Sequence, residues 1–155
     1  MFLVRNIFSA VVVFISVQVA SAQTSFDPLP YVNPFIGTSN YGATNPGAIA
    51  PRGIASVSPF NVAGKIDLNP LEKDSQWLSN PYVHENQFLT GFSHVNMSGV
   101  GCPELGVIIT MPTTGELKTN HVDYGTTYSE ETAEAGYYSA KLDKYNVKAE
   151  ATAST

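Results

Sequence analysis

The sequence is poor in what usually staples a small secreted protein together. It has one cysteine among 155 residues, so Cys102 is a free buried thiol, one half of an intermolecular pair, or a residue whose partner lies outside this chain. Charged residues make up only 14%, and 13 Asp and Glu outnumber 8 Lys and Arg. That balance argues against nucleic acid or an anionic membrane as partner. Phosphate-binding patterns are missing too. Glu104 follows Gly99-Val100-Gly101 where a dinucleotide fingerprint needs its third glycine, and no Gly-Lys-Ser/Thr comes after it. No Gly-x-Ser-x-Gly elbow occurs, and His84, His94 and His121 show no zinc spacing with one another or with Cys102. The run Asp67-Leu68-Asn69-Pro70-Leu71-Glu72 starts like a calcium loop, but Leu71 takes an acidic position and the turn glycine is lacking. The residues alone therefore give no catalytic constellation and no metal site.

What is present begins with a targeting signal. Arg5, an apolar run from Ile7 to Val17 and Ala20-Ser21-Ala22 read as a secretory signal peptide over residues 1–22, cleaved after Ala22. The apolar run is shorter than the roughly 20 residues a membrane-spanning helix needs, and no lipidation cysteine follows it. The expected location is therefore the periplasm or the cell exterior. Without that segment and its one cation, 7 bases face 13 acids, a mature charge of 7 − 13 = −6. The mature chain, from Gln23, suits one domain, and its 43% hydrophobic content (whole chain) is enough for a core.

Period-two patterns dominate this domain and predict an all-β fold. Phe88 to Phe92 and Gly106 to Met111 read as strands around a glycine-rich loop that holds Gly99, Gly101 and Cys102. Such a loop is either a tight corner or a place where backbone approaches a ligand closely. His94, beside Ser93, is open to the same two readings. Ile54 to Ser58 reads as a strand ended by Pro59, and residues 31–38 as an edge strand or extended lead-in broken by Pro34. Glu116 to Tyr124 can form a short strand, and Glu130, Glu131 and Glu134 read as a solvated acidic loop. Tyr138, Ala140 and Leu142 face one way before a turn at 143–146, and Val147, Ala149 and Ala151 alternate after it. Trp77 and Tyr82 end a polar loop, either as stacking platforms for a sugar ring or as cover for the edge of the core. The alternation runs on to Thr155, so the expectation is a domain truncated at its C-terminal end.

Three stretches in order carry a resemblance. The first is Tyr31 to Thr38 with Pro46-Gly47-Ala48, Pro51-Arg52-Gly53 and Ser58-Pro59. The second is Gly91-Phe92-Ser93-His94, Ser98 to Cys102, Gly106 and Met111-Pro112. The third is Gly136 to Ser139, Leu142-Asp143, Tyr145 and Val147 to Glu150. Together they resemble the opening of glycoside hydrolase family 92, the bacterial exo-acting α-mannosidases. The resemblance implies a two-domain enzyme with an N-terminal β-sandwich and an (α/α)-barrel domain, and hydrolysis of terminal α-mannosides with inversion and calcium. An inverting mechanism uses two carboxyl groups roughly 6.5–9.5 Å apart. In that family both carboxylates and the calcium ligands belong to the barrel, so residues 23–155 are expected to be the incomplete sandwich half, without catalytic residues or metal ligands.

By the same resemblance the sandwich lends residues to the sugar cleft. The candidate substrate-binding residues are Trp77, Tyr82, His94, Gly99, Gly101 and Cys102. Arg52 and Pro103-Glu104-Leu105 depart from the commonest family pattern. Expected partners are mannose-containing glycans and the barrel domain. A stand-alone carbohydrate-binding β-sandwich and a non-functional remnant are the two alternatives.

Overall fold

The computed structural model describes residues 26–39, 42–65, 67–70, 80–99 and 108–154. Leu29–Tyr31 form one 3-10 turn, begun by Asp27, whose carboxylate accepts the Leu29 N–H at 3.0 Å. Residues 31–155 form a unit of their own, and it is almost entirely β.

Two four-stranded antiparallel sheets make up this unit. The first runs β1 (Ala48–Ile49), β2 (Ser56–Phe60), β4 (Gly91–Ser93), β5 (Ile109–Thr110) in that spatial order; the second runs β3 (Phe88–Leu89), β6 (Thr126–Glu134), β7 (Tyr137–Leu142), β8 (Val147–Thr152). Chain order explains part of this arrangement. β6, β7 and β8 are consecutive hairpins, whereas the 88–93 segment changes sheets at Thr90, placing β3 in one and β4 in the other.

The alternation in 138–151 translates directly into burial. Tyr138, Ala140 and Leu142 are fully buried on one face of β7, and Ala149 of β8 joins them. Leu89 and Phe92 meet this face, with the Phe92 and Tyr138 rings edge to face at 6.1 Å between centroids. An apolar side chain of that size, removed from water, contributes about 1.5–3 kcal/mol. Gly91 lets β5 approach: at φ 147° a Cβ there would stand 2.5 Å from the Ile109 methyl and 2.8 Å from the Thr110 carbonyl.

Several local expectations need correction. Pro59 does not end its strand but lies inside β2, opposite Phe92. β1 reaches only Ser56 and Val57, so no strand needs an N–H from Pro59 on that side. Residues 116–124 form no strand; Asn120 caps a single helical turn, α1 (His121–Tyr124), by accepting the Val122 N–H at 3.0 Å. Residues 31–38 are turns, with the Ile36 N–H on the Asn33 carbonyl and the Phe35 N–H on the Asn33 side chain. The acidic run is not a loop. It is the middle of β6, and a β-bulge there decides which glutamate enters the core.

Candidate functional site

Between the two sheets a cleft of about 720 Å³ opens beside the β5 and β8 edges, lined by Val57, Phe92, His94, Met111, Ala149 and Ala151 among others. Its lining mixes these apolar side chains with Thr110, Lys148, Glu150, Thr152 and one imidazole, which suits a ligand that combines C–H faces with hydroxyls. His94 follows β4 directly and is partly exposed. Its Nδ1 lies 2.9 Å from the Ile108 carbonyl. A carbonyl can only accept, so Nδ1 carries the proton and a neutral ring keeps an accepting lone pair at Nε2.

The loop after His94 is pinned by Asn96. Its amide donates to the Ser56 carbonyl at 3.1 Å and the Ser56 hydroxyl at 3.2 Å, while its oxygen accepts the Ser93 hydroxyl at 2.7 Å. Gly99, at φ 110°, donates its N–H to the Ala43 carbonyl at 2.6 Å. The loop's first half is therefore tied to both β2 and the 42–47 segment. Trp77, Gly101 and Cys102 lie outside the described residues.

Of the two settings open to Tyr82, an exposed platform or cover for the core, the structure gives it the buried one. It is 0% exposed. Its hydroxyl donates to Glu131 Oε2 at 3.0 Å and contacts His84 Nδ1 at 3.1 Å, and the Tyr138 hydroxyl donates to Glu131 Oε1 at 2.7 Å. The β6–β7 register shifts between Ser129 and Thr132, with Glu130 at φ 51°. One extra residue reverses the alternation, so Tyr128, Glu131 and Ala133 turn inward where a regular strand would have sent Glu130 and Thr132.

Burial raises the Glu131 pKa above the ordinary carboxylate value, with the Tyr138 and Tyr82 hydrogen bonds and the His84 charge pulling the other way. Burial and the neighbouring glutamate push both tyrosines up. Tyr128, also pushed up by burial, closes the network by donating to the Asn86 carbonyl at 2.7 Å and accepting from the Asn61 amide at 2.9 Å. Asn61 further grips the Val83 N–H and carbonyl, each at 2.8 Å. Sequence reasoning missed Glu131, Asn61 and Asn96. For Glu131 a signal existed: the doubled Glu130-Glu131 inside an otherwise strand-like run, which is where a bulge resets the period.

The description "Glycosyl hydrolase family 92 N-terminal domain" matches residues 31–155. The chain belongs to glycosyl hydrolase family 92. Among solved structures, the family GH92 α-mannosidase BT3965 from Bacteroides thetaiotaomicron, in complex with mannoimidazole, is similar at 36% identity and TM-score 0.66, over 81% of this chain and 16% of that one. A second structure of BT3965 gives 37% and 0.65, over 81% and 17%. The GH92 family glycosyl hydrolase ccman5 gives 29% and 0.58, over 75% and 14%. The chain thus spans about a sixth of the length of the BT3965 structures it matches. No curated protein matches it. The GH92 likeness and the two sheets together bear out the expected β-sandwich of the N-terminal domain.

Proposed function

We propose that this chain is the carbohydrate-contacting, N-terminal part of an exported, calcium-dependent, inverting α-mannosidase, and that it performs no turnover by itself. The observation that carries the reading is the family match over residues 31–155, with 36% identity to an α-mannosidase. The cleft beside His94 supports it, because apolar faces set among an imidazole acceptor, Lys148 and Glu150 suit a pyranose. Export rests on the leader pattern in residues 1–22, and the destination is the periplasm or the cell exterior.

Among the described residues no three His, Cys, Asp or Glu side chains converge, so these residues do not fit a calcium site and no step is derived through the ion. Catalysis by this reading depends on two carboxyl groups supplied by the barrel domain. What the chain's own residues do is bind and orient: Asn96 and Gly99 hold the loop, and His94 Nε2 accepts a sugar hydroxyl. The experiment is to assay mannose release from α-linked mannosides with calcium present, for the 155-residue chain and for the complete reading frame that contains it. Release by the longer product alone is expected. Failure of that product to release mannose overturns the reading.

A further inference from the structure

The Tyr82–Glu131 pair does more than fill the core, because it ends on a surface imidazole. His84 is exposed, and three contacts hold it in place. Its backbone N–H donates to the Thr38 carbonyl at 2.9 Å, its ring meets Phe35 edge to face at 5.6 Å, and its Nδ1 touches the Tyr82 hydroxyl at 3.1 Å. A surface side chain whose ring is held by a hydrogen bond and a ring contact costs less entropy to engage than a free one.

Proton counting then decides what its outer nitrogen can do. A tyrosine hydroxyl has one proton. With Glu131 ionised, both carboxylate oxygens accept, Oε1 from Tyr138 and Oε2 from Tyr82. Tyr82 has then spent its proton, so the contact with His84 forms only if Nδ1–H donates to the tyrosine oxygen. In the neutral ring Nε2 is then left with a lone pair, and among the described residues no group is bonded to it.

We propose that Glu131, acting through Tyr82, locks His84 in the Nδ1–H tautomer and presents Nε2 as a hydrogen-bond acceptor for a sugar hydroxyl, with the Phe35 ring alongside. His84 is not among the residues lining the His94 cleft, so this is a second contact point. Tyr82 and Glu131 are positioning residues here; neither touches the ligand. The ligand class rests on the glycan reading above, while the tautomer control does not.

The test is nitrogen-15 NMR of the histidine rings in the 155-residue chain at a pH above the Glu131 titration, for wild type, Tyr82→Phe and Glu131→Gln. Wild type should show an unprotonated Nε2 at His84. Tyr82→Phe, which removes only an oxygen, should shift His84 toward the Nε2–H form, and Glu131→Gln should weaken the preference, both leaving His94 unchanged. Methyl α-D-mannopyranoside at millimolar concentration should then move the His84 Nε2 resonance in wild type and not in Tyr82→Phe. A protonated Nε2 in wild type, or a tautomer indifferent to Tyr82→Phe, overturns the relay. Sugar-induced shifts at His94 with none at His84 overturn the contact point while leaving the glycan reading intact.

Discussion

His94 and His84 are both held at Nδ1, but by unlike partners. The Ile108 carbonyl offers His94 an acceptor and nothing else, so backbone geometry sets that tautomer unconditionally. Tyr82 offers His84 a hydroxyl that can donate or accept, so its direction is decided one residue further on, by Glu131. The first arrangement is local to the β4–β5 neighbourhood, and the second couples the 80–86 segment to β6 and β7. The same imidazole contact is thus a fixture in one place and a conditional state in the other.

The most damaging way to break the conditional side is Asn61→Ala. It removes donors to the Val83 and Asn86 carbonyls and the acceptor for the Val83 N–H, all buried. A loss of about 3 kcal/mol in urea unfolding is expected, since several buried polar groups lose partners at once. Tyr82→Phe strips one hydroxyl from the same network, and about 1–2 kcal/mol should follow, with the His84 tautomer change as its separate signature.

Glu131→Gln sharpens the comparison through pH. Burial holds the Glu131 pKa above its unfolded value, so between the two values the folded chain keeps a proton that the unfolded chain has released. Rising pH through that interval, upward from the ordinary carboxylate range, therefore lowers stability. Denaturation series between about pH 4 and pH 8 should show this slope in wild type and lose it in Glu131→Gln. Glu150, held below the usual range by its hydrogen bond to Lys148, is present in both proteins and drops out of the difference. The smallest effect belongs to His94→Gln: a partly exposed ring on one carbonyl should change stability by no more than about 0.5 kcal/mol while weakening sugar binding.

The hairpin and the core face were legible because 138–142 and 147–151 each alternate with apolar residues on one side, joined by a turn at 143–146. Tyr138, Ala140 and Leu142 needed only the pleat to become a core. Glu131 was hidden by the same logic: strict alternation sends Glu130 inward, and only the bulge, which depends on pairing with β7, reverses the choice. Which of the two settings open to Tyr82 it takes was not legible locally, because its hydroxyl meets a carboxylate 49 positions away. His94 stood out through its glycine-rich neighbourhood, whereas His84 lay in Val83-His84-Glu85-Asn86 with no pattern around it. Short-range chemistry is written in the sequence; contacts between β6 and the 80–86 segment are set by the fold.

Contact between this domain and carbohydrate can be mapped from backbone and side-chain NMR shifts of the 155-residue chain during titration with an α-linked mannose disaccharide. Saturable shifts concentrated on Phe92, His94 and Met111 are the expected result. No shift at millimolar sugar, or shifts confined to residues away from both histidines, would contradict the account.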